Sequence, residues 1–284
     1  MSVSFTESDD VAEPDEAASA GGEATTSGDD FDADDFPDWY QDKVTEGAEV
    51  GDEATVEPDA GSSRPYFADL AVVQTLDRLA FGAVTVLAGD NGSGKSTLVE
   101  AIAVAAGFNP EGGSRNLMFA THDTHSDLAD HLTLRWNKRP KWGWFLRAET
   151  FYGMATHITL DDDPYGGVAA IFPDLHNKSH GESFLALAES RFTGKGLYIF
   201  DEPEAALSIQ GQMRLVAIMA ASVKKGSQFI ISTHSPFLMG IPGASVVETD
   251  AETGLTHTTF DDLASTALWR RFFVDPSASH QRLT

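Results

Sequence analysis

Residues 83–88 form an apolar run that enters the loop Gly89-Asp90-Asn91-Gly92-Ser93-Gly94-Lys95-Ser96. Residues 95–106 leave that loop with helical periodicity, stopped by Gly107. A short, partly β-branched apolar run is the pattern of a strand buried on both faces. When such a strand turns through glycines into a helix, the N–H groups of the turn and the positive end of the helix converge on one spot, and that spot binds phosphate. The loop matches G-x-x-x-x-G-K-[ST] in full, in the strand-to-helix setting the motif requires. Its glycines let the backbone wrap closely around phosphates. Lys95 can neutralise β- and γ-phosphates, the Ser96 hydroxyl can ligate Mg²⁺, and Thr97 completes the phosphate-binding set.

The remainder of the chain repeats the alternation. Residues 196–202, 227–235 and 244–250 read as strands, residues 210–225 as an amphipathic helix ended by Gly226, and residues 176–192 as a loop followed by a helix. Residues 133–136, 143–151 and 156–160 also read as strands, punctuated by Pro140 and Gly143. Strands alternating with helices predict a mostly parallel sheet covered by helices, an α/β fold. The strand 197–200 ends in Asp201-Glu202. Two carboxylates at such a strand end can divide two tasks: Asp201 holding Mg²⁺, directly or through water, and Glu202 acting as general base on an attacking water.

A change of composition near Arg64 marks a boundary. Residues 1–63 hold 20 Asp and Glu against one basic residue, Lys43, a net charge of −19; the other 221 residues hold 24 acidic and 18 basic residues, a net of −6. A segment rich in acids and small residues buries too little apolar surface to offset its ordering entropy, so residues 1–63 are expected to be a disordered acidic tail. Within it, residues 31–40 (FDADDFPDWY) place four aromatics among acids: a solvated spacer, a docking motif, or an arm that competes with nucleic acid for a basic groove. The 284 residues contain no cysteine, which excludes disulfides and Cys-ligated metals. No run of about 18 apolar residues occurs, and the acidic N-terminus lacks a signal-peptide layout. The expectation is a soluble cytoplasmic protein.

Further motifs make the resemblance specific. Asp201-Glu202-Pro203-Glu204-Ala205-Ala206-Leu207-Ser208 resembles the extended Walker B motif and D-loop of ABC (ATP-binding cassette) ATPases, and Ser232-Thr233-His234-Ser235-Pro236 resembles their switch-histidine loop. Lys178-Ser179-His180-Gly181-Glu182-Ser183, about 20 residues before Asp201, stands where those proteins carry an LSGGQ-type signature. Ser179, Gly181 and Glu182 fit that signature; Lys178 and His180 depart from it. All four motifs occur in the family order over residues 64–275. The form SHGES is similar to that of stand-alone ATPases of the AAA-like/ABC class, related to SMC and recombination-type heads.

The resemblance implies a P-loop NTPase fold of the ABC type in residues 64–284, with a small antiparallel β arm and a helical signature subdomain. It implies ATP and Mg²⁺ as ligands and a homodimer closing head-to-tail on ATP, with Ser179 and Gly181 reaching the γ-phosphate held by the second subunit. Ser179 can equally be the cap of its own helix. By resemblance His234 orients the attacking water, although a lone His at a strand end is also a common structural residue. Glu149 is the candidate for the Q-loop position, contacting Mg²⁺ or its water, or a solvated loop acid; Arg147 beside it is a core-edge ion pair or a coupling residue. Residues 135–147 interleave five cations with four aromatics. That pattern suits nucleic acid by phosphate contact and stacking, and equally suits strands alternating between core and water. About 29 residues separate Glu149 from Ser179, too few for a long coiled coil. A soluble ATPase acting in nucleic-acid-related processes or defence, the energising subunit of a membrane transporter and a slow nucleotide-controlled switch all remain open.

Overall fold

A computed structural model describes residues 1–5, 65–114, 127–148, 179–192 and 194–277. Ten strands run through them: β1 (Ser2–Phe5), β2 (Leu79–Ala80), β3 (Val84–Gly89), β4 (Gly113–Ser114), β5 (Leu132–Arg135), β6 (Trp142–Arg147), β7 (Gly196–Asp201), β8 (Gln228–Thr233), β9 (Ser245–Asp250) and β10 (Gly254–Thr258). The helices are α1 (Ala71–Gln74), α2 (Lys95–Ala105), α3 (His180–Arg191), α4 (Ile209–Val223), α5 (Pro236–Met239) and α6 (Ala264–Val274).

Seven strands form one sheet in the order β10-β9-β3-β8-β7-β6-β4. From β9 to β6 every pairing is parallel; β10 and β4 close the two edges antiparallel. The apolar runs are the central strands, as expected, because each is covered on both faces. All six residues of β7 are buried. Side-chain alternation divides them between two cores. Val86, Tyr198, Phe200, Phe229 and Ile231 face α3 and α4, where they meet Phe184, Leu187, Leu215 and Met219. Leu87, Leu197, Ile199 and Ile230 face α2, where they meet Leu98 and Ile102. Tyr198 and Phe229 stack across β7 and β8 with ring centroids 5.0 Å apart. This parallel register brings the C-terminal ends of β3, β7 and β8, at Gly89, Asp201 and Thr233, to the same end of the sheet.

The small antiparallel arm has the order β2-β1-β5, and its middle strand comes from a segment expected to be disordered. Ser2–Phe5 pairs with Leu132–Arg135 on one side and with Leu79–Ala80 on the other, and Val3 is buried among Leu79, Phe81 and Leu98. Four residues carry no periodicity strong enough to stand out against an acidic surrounding; the ladder on both sides stabilises them. The rest of residues 1–63, including 31–40, lies outside the described residues, as do Glu149 and the strand expected at 156–160.

The alternation expected across residues 135–147 holds for β5, whose residues alternate in exposure. It fails in β6: Gly143 to Leu146 are all buried, because β7, β4 and both cores enclose that strand. Trp144 is buried there, and Arg139 lies over the Trp136 ring at 5.9 Å.

Candidate phosphate-binding site

The loop after β3 is held against α1 and β9. A Cβ at Gly89 would stand 2.0 Å from the Thr249 carbonyl oxygen, and one at Gly94, whose φ is +88°, would stand 2.6 Å from Val72 Cγ2. Glycine is required at both by close approach, and at Gly94 also by the left-handed backbone. Ser93 is buried and its hydroxyl meets the Thr249 hydroxyl at 2.8 Å, and Thr249 in turn donates to the Ala88 carbonyl. Asp90, Asn91 and Gly92 are exposed at the loop's crest. Gly94, which has no side chain, leads into the 11-residue α2, so the N-cap position itself supplies no acceptor to the first-turn N–H groups.

Lys95, at the head of α2, is buried, and its Nζ donates to the Asp90 carbonyl at 2.9 Å. Burial holds its ammonium below the ordinary value of 10.5; Glu202, Asp201, Asp90 and Glu204 pull it back up. A desolvated cation under an uncapped helix start and a glycine-rich loop suits a polyanionic ligand such as a nucleotide phosphate chain. Ser96 and Thr97 follow on the first turn, half-buried.

The acids arrive on β7. Asp201 is buried; its Oδ1 accepts the Ser232 hydroxyl, and its Oδ2 lies 3.6 Å from Arg147 Nε. Arg147 also pairs with Glu100 of α2 at 2.6 Å. It is therefore an ion-paired residue that ties β6 to α2 and to the Asp201 strand. Among the described residues no group of three or more His, Cys, Asp or Glu assembles a metal site of its own. Asp201 and Ser96 are nevertheless oxygen ligands of the kind Mg²⁺ takes when it is shared with substrate phosphates.

Glu202 leaves the strand with φ +48°, one of two non-glycine residues in the left-handed region among the described residues. Such a conformation costs on the order of 1–3 kcal/mol and persists where surroundings impose it. Here its N–H is tied to the Ser232 carbonyl at 3.1 Å, and its carboxylate is turned to within 3.2 Å of His234 Nε2, at ion-pair distance without an aligned hydrogen bond. Both side chains are about one-third exposed, so they face both water and the loop. The backbone N–H of His234 donates to Glu204 Oε1.

The signature residues stand apart from this cluster, and none of the described contacts joins the two. Ser179 is the N-cap of α3 in a capping box: its hydroxyl accepts from Glu182 N–H, and Glu182 Oε2 accepts the Ser179 N–H at 2.8 Å. Gly181 packs so closely on the Ala206 carbonyl that a Cβ would stand 2.8 Å from it. Ser179, Gly181 and Glu182, with Leu207, Ser208 and Arg214, line an open cavity of about 480 Å³. The helical cap is thus present, and it leaves Ser179 on an exposed face.

The motifs identified Lys95, Asp201, Glu202 and His234, and the sheet brings them together. Thr249, Ser232 and Glu100 were missed. Thr249 and Ser232 are signalled only by their register opposite Gly89 and Asp201, and Glu100 only by the packing of α2 on β6 that brings it to Arg147; both exist only once the chain is folded.

The family profile described as "AAA domain, putative AbiEii toxin, Type IV TA system" matches residues 84–141 and 169–240, the segments that carry the glycine loop, Ser179, the paired acids and His234. The chain is similar to the "Cytochrome c biogenesis ATP-binding export protein CcmA" of Paracoccus denitrificans (strain Pd 1222), 29% identical over 179 residues, covering 59% of this chain and 76% of that protein. The protein of the same description from Rhizobium meliloti (strain 1021) is 27% identical over 194 residues, covering 63% and 88%. Among solved structures, the "SMC head domain from Thermotoga maritima" is similar at 15% identity and a TM-score of 0.37, covering 64% of this chain and 92% of that one. With its motifs in this order on a mostly parallel sheet, and with these sequence matches, the chain is similar to ABC-type P-loop ATPases of the AAA-like/ABC class.

Proposed function

We propose that this chain binds ATP with Mg²⁺ and hydrolyses it at a site completed by a second copy of itself. The observation that carries the reading is the convergence at the C-terminal end of the central strands of a buried lysine, a buried aspartate and a glutamate facing a histidine. Lys95 and the α2 first-turn N–H groups hold the β- and γ-phosphates. Asp201 and Ser96 hold Mg²⁺, which when bound neutralises charge on the phosphate oxygens. Glu202 takes a proton from the attacking water while His234, 3.2 Å away, orients that water and the γ-phosphate. Ser179 and Gly181, on an exposed helix start, reach the γ-phosphate held by the other subunit, so that ATP closes a head-to-tail dimer and hydrolysis opens it. Glu149 has the Q-loop role in this scheme.

Glu202→Gln tests it. The variant should bind ATP like the parent and hydrolyse it at least about 10²-fold more slowly, the scale of a lost general base, and it should accumulate an ATP-bound dimer in size-exclusion chromatography with light scattering. Parental turnover would remove Glu202 from the mechanism.

The SHGES and PEAALS forms favour a stand-alone cytoplasmic ATPase, working on nucleic acid or in defence, over a transport subunit. The transport reading draws on relatives described as export proteins. Among the described residues no helix is long and apolar enough to cross a membrane, so a transport role requires an integral-membrane partner. Co-purification of such a partner with the Glu202→Gln dimer would decide for transport. A dimer that forms on ATP with turnover slower than about one per hour would decide for a switch, far below typical enzyme rates.

A further inference from the structure

Glu204 lies just past the paired acids, in the 3₁₀ turn Pro203–Ala206. Its Oε1 accepts the backbone N–H of His234 at 2.5 Å; its Oε2 is buried and has no hydrogen-bond partner among the described residues. An unpaired buried carboxylate oxygen costs stability, so stability alone does not account for an acid here. The same stretch grips the histidine loop a second time. Gln212 Nε2 donates to the Leu207 carbonyl at 3.2 Å, and the Ser235 hydroxyl donates to Gln212 Oε1, with Gln212 and Ser235 both buried. Two successive residues of the loop, His234 and Ser235, are therefore tied to residues 204 and 207. On its other side that stretch, through Ala206 and Leu207, lines the cavity that holds Ser179.

We propose that Glu204 is the positioning residue of His234: its carboxylate fixes the histidine backbone so that Nε2 stays opposite Glu202, and it couples the loop to movement of the 203–207 turn at the Ser179 side. The inference rests on the ATPase reading for its effect on turnover, and on geometry alone for its effect on the loop. A pairwise hydrogen-bond swap separates positioning from simple support. Gln in place of Glu204 keeps a carbonyl oxygen to accept the His234 N–H. Met fills similar volume with no such acceptor: it leaves the His234 N–H unpaired but also removes the unpaired buried oxygen, so the two effects offset and it should fold about as well.

The experiment compares Glu204→Gln, Glu204→Met and Glu204→Ala in the full chain, reading melting temperature, steady-state ATPase kinetics and amide hydrogen exchange at His234 by NMR. Expected for Met is a near-parental melting temperature, a kcat lowered about 10–100-fold with KM for ATP within about twofold, and faster His234 amide exchange; misplacement near the chemistry can cost 10²-fold. Gln should restore kcat to within about threefold and keep the exchange slow. Ala should lose kcat as Met does. Parental kcat with parental exchange in the Met and Ala variants would overturn the proposal, as would a loss carried by KM or one that tracks melting temperature in all three. If the parent itself does not turn over ATP, the ATPase reading fails, and the His234 exchange alone then decides whether Glu204 holds the loop.

Discussion

At the scale of single residues, the cost of the site is concentrated in Lys95 and Glu202. Lys95 is desolvated beside four carboxylates, and burial outweighs them, so its pKa lies below 10.5 in the fold. Between the folded value and 10.5 the unfolded chain binds more protons at this position than the folded chain does. The resulting penalty is full below the folded pKa and is relieved as pH rises to 10.5. Lys95→Met has no such titration. The unfolding free energy of the parent minus that of the variant, from urea melts at successive pH values without nucleotide, should therefore rise with pH through that window. A flat difference would show that Lys95 is not held desolvated. The roles of these residues were legible because each belongs to a short motif whose spacing is set by one loop or one strand end. Glu204 was quoted in such a motif without a role, since its partner, the His234 amide, is 30 positions away.

At the scale of elements, α3 shows how one residue can serve two ends. Ser179 and Glu182 close a capping box, and removing such a cap costs roughly 1 kcal/mol. Ser179→Ala should lose about that much stability. Ser179→Asn should keep it, since Asn caps as well as Ser does. If Ser179 only caps, the Asn variant retains ATPase activity; if the hydroxyl also meets the phosphate held by a second subunit, both variants lose turnover, although only Ala loses stability. Melting temperature and ATPase rate, measured together, separate the two. The start of α3 was readable from S-x-x-E before an apolar run. The enclosure of β6 was not, because its cover comes from β4, β7 and two helices that no local pattern in residues 142–147 contains.

At the scale of the molecule, the arm is the least local feature. β1 is the middle strand of β2-β1-β5, so the chain start joins segments near residues 80 and 133. Val3 is 1% exposed. Val3→Ala should destabilise by about 0.5–3 kcal/mol, the ordinary range for a buried substitution, seen as a lower urea midpoint, and deletion of residues 1–5 should lower it further. An unchanged midpoint in both would remove β1 from the fold. The boundary expected at residue 63 was drawn from composition, which averages over the acidic segment and cannot see four residues at its head.

The sequence by itself determined the parallel α/β plan, the glycine loop under α2 and the acids closing β7. These follow from short continuous apolar runs, from a helical period of 3.6 and from backbone limits that only glycine escapes, all of which act within a dozen residues. Tertiary structure alone decided which groups face those residues: Thr249 against Gly89, Ser232 and Arg147 on Asp201, Glu204 on the His234 amide, and β1 between β2 and β5. Those partners are set by strand order and register. Both depend on how the two cores pack, a property of the whole chain that no single segment contains.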